Sequence, residues 1–251
     1  MHIRFVRLKG REDRAWDARK FYEDRVIPGL EQTEGCLFAS LLQGTIHGDD
    51  YISMTAWTSD EAAKTYEHGG LFDRLLDESD EALQGVEEVP SGVEGADDAV
   101  IFSGIEPEVE TWDIAGSADE EILEKITEGR VFVRMAGIRL RRDGFAEFER
   151  RFEEEVRPAL SETPGCLGAL LVAGASDQTR ILSVTFWSRE EDAVRYALSG
   201  EFDRLTARLK DTFSDLYQWN VAASGEAPPP TTGGRGPEVE GYQLVIGRKF
   251  S

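Results

Sequence analysis

Shifted by 130 residues, the chain lies on itself without a gap. Glu23, Val26, Pro28 and Leu30 meet Glu153, Val156, Pro158 and Leu160. Thr33, Gly35 and Cys36 meet Thr163, Gly165 and Cys166. Ser53, Thr55 and Trp57 meet Ser183, Thr185 and Trp187, and Tyr66, Gly70, Phe72, Asp73, Arg74 and Leu75 meet Tyr196, Gly200, Phe202, Asp203, Arg204 and Leu205. That period is too long for one unit of a stacked solenoid and reads as a duplicated domain. The 251 residues are therefore two small domains rather than one large one.

Both copies run through the same order of patterns. Residues 2–9 and 131–140 alternate and read as strands. Each is followed by an apolar stripe at helical spacing: Ala15, Ala18, Tyr22, Val26 and Leu30, then Phe145, Phe148, Phe152, Val156 and Leu160. Asp13 and Asp143 stand where a helix cap would, and Pro28 and Pro158 where a ring disturbs the last turns. Two β-rich runs follow, 36–43 with 51–57 and 166–173 with 180–187, joined by hairpin turns. Thr58 with Glu61, and Ser188 with Glu191, read as capping boxes for the next helix. Glycines interrupt that helix before a short one, and a fourth strand is expected near 86–89 and near 216–221.

Strand–helix–strand–strand–helix–strand is a ferredoxin-like unit, an α+β arrangement with helices on one sheet face. Yet the strands are apolar on both faces: Leu37, Ala39 and Leu41 alternate with Phe38 and Leu42. A wetted face would be more polar. The expectation is that two βαββαβ domains pair their antiparallel sheets into an intrachain α+β barrel, a pseudo-dimer open to further oligomerisation. The division reads 1–98 for the first domain and 99–129 for a connection with a possible exchanged edge strand. The second domain is 130–221, and 222–251 is a Pro/Gly-rich arm ending in an alternating strand that docks on a sheet edge.

Composition narrows the function. Twenty-eight Lys and Arg against 49 Asp and Glu leave a net charge of −21, a field that repels phosphate backbones and anionic lipid. No nucleic-acid or membrane partner is expected, and the cytoplasm is the default location. Cys36 and Cys166 read as buried small hydrophobes. Three scattered histidines suggest no metal site.

The segments YISMTAWTSDEAAKTYEHGGLFDRL and ILSVTFWSREEDAVRYALSGEFDRL, preceded by PGLEQTEGCLFASLL and PALSETPGCLGALLV, resemble the antibiotic biosynthesis monooxygenase superfamily of dimeric α+β barrels. The resemblance implies the same barrel and admits several functions. The superfamily includes quinone-forming oxygenases that use no cofactor, haem-degrading enzymes, and members without known activity. The haem-degrading branch has an Asn in its first strand, a helix Trp, and an iron-ligating His ten residues further on. Here the first strands hold no Asn, Tyr66 and Tyr196 stand at the Trp position, and Leu76 and Thr206 at the His position. Haem chemistry is disfavoured, and no cofactor is expected.

The resemblance favours a cofactor-independent monooxygenase-like protein acting on a small aromatic or polyketide-like molecule. The alternative is a non-catalytic small-molecule-binding or stress-related barrel. The residue readings divide in the same way. Trp57, Trp187 and Tyr196 would wall an aromatic-substrate pocket, or simply pack between sheet and helix. Tyr66 would donate to a substrate oxygen. His68, beside the Gly69–Gly70 break, would take a phenolic proton as the catalytic base, or end its helix satisfied by local carbonyls.

Overall fold

The computed structural model describes residues 1–84, 108–115, 120–127, 130–215 and 239–250. The first copy opens with β1 (His2–Lys9), then α1 (Ala15–Phe21) and α2 (Ile27–Glu31) joined by a π-helical turn at Tyr22–Val26. β2 (Cys36–Gly44) and β3 (Asp50–Trp57) form a hairpin, followed by α3 (Asp60–His68) and α4 (Leu71–Gln84). β4 (Glu108–Ala115) and α5 (Glu120–Lys125) come next. The second copy repeats the order with β5 (Phe132–Arg139), α6 (Phe145–Arg151), a π turn at Phe152–Val156 and α7 (Arg157–Ser161). It continues through β6 (Cys166–Gly174), β7 (Arg180–Trp187), α8 (Glu190–Leu198) and α9 (Glu201–Leu209) to β8 (Val239–Lys249).

The eight strands close into one antiparallel barrel in the order β1-β3-β2-β8-β5-β7-β6-β4. Each half contributes a sheet in the ferredoxin-like order 4-1-3-2. The fourth strands are the seams: β4 pairs with its own β1 and with β6 of the other half, and β8 with its own β5 and with β2. The runs at 86–89 and 216–221 lie outside the described residues, as do the expected boundaries near 98, 129 and 221. The fourth place in each sheet is held by β4 and β8. Their residues keep the repeat: Glu110, Trp112 and Ile114 correspond to Glu240, Tyr242 and Leu244.

The apolar character of both strand faces is thereby explained. Inward residues of both halves, among them Ile3, Phe5, Phe38, Val133, Leu170 and Phe186, fill the barrel as one core. Ile122, Leu123 and Ile126 of the α5 region join that core. The outward faces pack separately under the helices of each half.

Three local details differ from the expected pattern. Asp13 and Asp143 cap nothing; they pair with Arg11 and Arg141, and α6 starts at Gly144 without a side-chain cap. The cap of α3 is Ser59, whose hydroxyl accepts from the Ala62 N–H at 3.1 Å, one residue beyond Thr58; α8 has no side-chain cap at Arg189. Thr58 and Ser188 instead use their N–H groups on the Gly35 and Gly165 carbonyls, 2.8 Å each. These two glycines have φ of 84° and 85°, and a Cβ there would meet Ala62 or Asp192 at 2.6 Å or less. That close approach explains the glycine before each cysteine. The π turns precede Pro28 and Pro158 in both copies. A proline ring collides with the carbonyl four residues back in a regular helix, and a widened turn relieves the clash.

Candidate functional site

A cavity lies between the outer face of the first sheet and its helices. Arg4, Val6, Ala18, Tyr22, Tyr66 and Phe72 are among its walls, and Phe21, Leu76, Ser79 and Leu83 lie toward α1 and α4. The space within it open to a water-sized sphere is about 40 Å³, far below the size range of small-molecule sites. That is room for about three waters, so a larger guest enters only as side chains move aside. Phe21 also borders an outer groove with Arg14, Lys20, Arg25 and Glu78. The cavity and the groove therefore share one wall.

The repeat provides an internal comparison. Ala18, Tyr22 and Leu83 become Phe148, Phe152 and Phe213 in the second copy. Phe148 packs on each of the other two with ring centroids 6.3 Å apart, and all three are buried. Phe21 becomes Arg151, which bridges Glu147 and Asp211. Around the equivalent place the second half carries three packed phenylalanine rings where the first has Ala18, Tyr22 and Leu83.

An aromatic ladder backs the cavity. Trp57, fully buried, donates its indole N–H to Thr55 Oγ1 at 2.9 Å and lies 5.1 Å from the Tyr66 ring. Tyr66 meets Phe72 edge-on at 5.7 Å, and the Arg4 guanidinium sits 4.0 Å from the Phe72 centroid. The second half repeats the ladder with Trp187, Tyr196, Phe202 and Arg134. Burial lowers the Arg4 guanidinium below its usual value against the pull of Glu67, and brings Arg134 down to about 10. Burial also raises the Tyr22 and Tyr66 phenols, so both stay protonated and able to donate.

Of the residues singled out from sequence, Tyr66 lines the cavity. Trp57 stands behind it as support. Trp187 and Tyr196 form the matching ladder in the filled half. His68 is not brought to the cavity: it is exposed at the end of α3, with Nδ1 donating to the Lys64 carbonyl at 2.8 Å. Its geometry is that of a helix-end histidine. Leu76, at the family's ligand position, is a cavity wall. Among the described residues, no group of three or more His, Cys, Asp or Glu is placed to hold a metal ion, and no helix is long and apolar enough to cross a membrane.

Arg4 and Tyr22 carry the polar character of the cavity and were not singled out. Tyr22 donates its hydroxyl to the Ser40 carbonyl at 3.0 Å, and Ser53 Oγ donates to it at 2.9 Å. The sequence signal for Arg4 was its repetition as Arg134, on a strand face otherwise carrying Val6 and Leu8.

A closed eight-stranded antiparallel barrel made of two ferredoxin-like halves, with helices outside, is a pseudo-dimeric α+β barrel. Residues 131–208 match the family model described as antibiotic biosynthesis monooxygenase. The match covers the second half alone, and the closed barrel built from two like halves is consistent with a tandem, pseudo-dimeric arrangement of that fold. Among solved structures it is similar to a proposed monooxygenase from Fusobacterium nucleatum, with a TM-score of 0.63 and 8% identity over 99% of this chain and 94% of that one. A proposed monooxygenase from Lactobacillus acidophilus gives 0.61 and 9% over 99% and 95%. An anthrone oxidase-like protein gives 0.57 and 12% over 99% and 93%. At these identities the likeness is one of fold. No curated protein sequence matches the chain.

Proposed function

We propose that the chain is a cofactor-independent oxygenase of small aromatic or polyketide-like compounds, with its one working site in the first-half cavity. The observation that carries this reading is the contrast between the halves: the hollow beside Tyr66 against the three packed rings of the second half. The reaction is the oxidation of an activated methylene, in which one methylene and one molecule of dioxygen give one ketone carbonyl and one water. The substrate loses a proton and gives electrons to oxygen. A carbon–oxygen bond forms, the O–O bond breaks, and the second oxygen leaves as water with the two hydrogens of the methylene. The apolar walls exclude bulk water, and the Tyr66 phenol donates to a substrate oxygen where charge develops. Among the described residues, no carboxylate or imidazole lines the cavity, so the first proton goes to water at the mouth. That same lack of a base favours, as a second reading, a barrel that binds such compounds without turning them over.

An anthrone is the natural probe, since the fold is shared with an anthrone oxidase-like protein. Oxygen uptake with 1,8-dihydroxyanthrone should exceed the protein-free rate, consume one dioxygen per quinone formed, and vanish in Ala18→Phe. Uptake at the protein-free rate would leave only the binding reading. Full activity in Ala18→Phe would move the site elsewhere.

A further inference from the structure

We propose that Arg4 is an anion-recognition residue, and that the first-half cavity takes a flat apolar ligand carrying a single oxyanion: a carboxylate, phenolate or enolate. The inference concerns the cavity assigned above and rests on its being a ligand site, not on turnover.

Arg4 sits in the middle of β1 with 1% of its surface exposed. Its Nε and Nη2 make no hydrogen bond. The carboxylate facing it, Glu67 Oε2, stands 3.7 Å from Nη2, beyond hydrogen-bond reach, and belongs to a side chain 35% exposed. A guanidinium carries five N–H donors in a rigid fork, and burying it with donors unspent is costly unless a partner arrives.

The other polar groups in the cavity wall are already committed. Tyr22 gives its proton to the Ser40 carbonyl, and Ser53 serves Tyr22. Thr55 donates to the Arg4 carbonyl and receives from Trp57, and Ser79 donates to the Leu76 carbonyl. What the cavity still offers a guest is the Arg4 fork, with Tyr66 beside it, at the end of an apolar chamber. Planar oxyanions match that fork, and carboxylates do so bidentately. The stack on Phe72 holds the guanidinium in place before the ligand arrives.

The second half supplies the control. Arg134 stacks on Phe202 in the same way at 4.1 Å, with its Nε likewise buried without a hydrogen bond, but Phe148, Phe152 and Phe213 stand in the places of Ala18, Tyr22 and Leu83. There the arginine faces three phenylalanine positions in place of an alanine, a tyrosine and a leucine.

The test is calorimetric binding of naphthalene-1-carboxylate against naphthalene-1-carboxamide, with 1-naphthol below and above its ionisation to separate phenolate from carboxylate. The carboxylate should bind the intact protein at least about ten-fold more tightly than the amide. Arg4→Met should erase that ratio, Arg4→Lys should keep part of it, and Arg134→Met should leave it unchanged. Ala18→Phe should remove binding altogether. Equal affinity for acid and amide would overturn the inference, as would a preference that survives Arg4→Met. Binding that persists in Ala18→Phe would put the anion on the outer groove of Arg14, Lys20 and Arg25 and would also overturn it. If Arg4→Met does not fold, the acid-to-amide ratio on the intact protein and Arg4→Lys still decide. Anion binding through Arg4 with no oxygen consumed would sink the oxygenase reading alone. Turnover unaffected by Arg4→Met would sink this inference alone.

Discussion

Ala18 and Phe148 hold the same place in the repeat, 130 residues apart, and leave opposite amounts of room: one walls a cavity, the other is packed between two further rings. Phe148→Ala should therefore behave as a large-to-small core substitution and cost about 3–5 kcal/mol. Ala18→Phe enters an existing hollow and should stay within about 1–3 kcal/mol of the parent in either direction. Urea unfolding curves of both variants check the asymmetry. Equal losses would mean that the hollow is not real.

His68 and Tyr66 lie two residues apart on α3 but face different surroundings. His68→Ala removes an exposed ring hydrogen-bonded to its own helix and should change neither ligand affinity nor oxygen uptake. Tyr66→Phe keeps the ladder and removes only the hydroxyl, so it should fold normally and weaken binding by about 0.5–1.5 kcal/mol. Titration of naphthalene-1-carboxylate into both variants distinguishes them. A loss on removing His68 would restore that residue as the site's base.

At one end of the barrel, Arg7 of β1 reaches Glu240 and Tyr242 of β8 and Glu110 of β4. One side chain thus ties both seam strands. Arg7→Met should lower stability by about 1–2 kcal/mol, more than an isolated surface pair would. Deleting 239–251 should do far more, because β2 and β5 would both lose a hydrogen-bonded neighbour and expose unpaired edges. Size-exclusion chromatography should show association or loss of the compact species; a well-folded monomer would contradict the seam role of β8.

Burial pushes the Cys36 thiol up to about 12 and the Cys166 thiol up to about 11, from an ordinary value of 9.0. Both should resist a thiol reagent at pH 8 in the folded protein and react at once in denaturant. The folded values are raised, so their contribution to stability is present below pH 9. It declines as pH climbs through the folded values, because the unfolded thiols ionise first. Between pH 9 and 10, replacing both cysteines by alanine should flatten the fall in unfolding free energy.

The duplication and the barrel were legible because they follow from two plain facts: a constant offset, and strands apolar on both sides. The fourth strands were harder to see. Glu108–Ala115 carries Glu108, Glu110 and Asp113 among eight residues and lies far along the sequence from β3, so its alternation is weak beside stronger runs nearby. Of the site, Tyr66 was legible as a repeated ring. Arg4 was not, because a charge on an alternating strand ordinarily marks the wet face. Here helices cover that face, and the charge is inside. His68 drew notice as a rare imidazole beside glycines, a property of composition that does not say which way a helix turns.

The pairing of Phe38 with Lys249 also bears on how the molecule is made. β2 leaves the ribosome long before β8 exists, so its outer edge stands without a neighbour through most of synthesis. Ring closure is then a late, long-range event, slow by the nature of such contacts. Until it occurs, the nascent chain presents the kind of open strand that other copies or a chaperone would grasp.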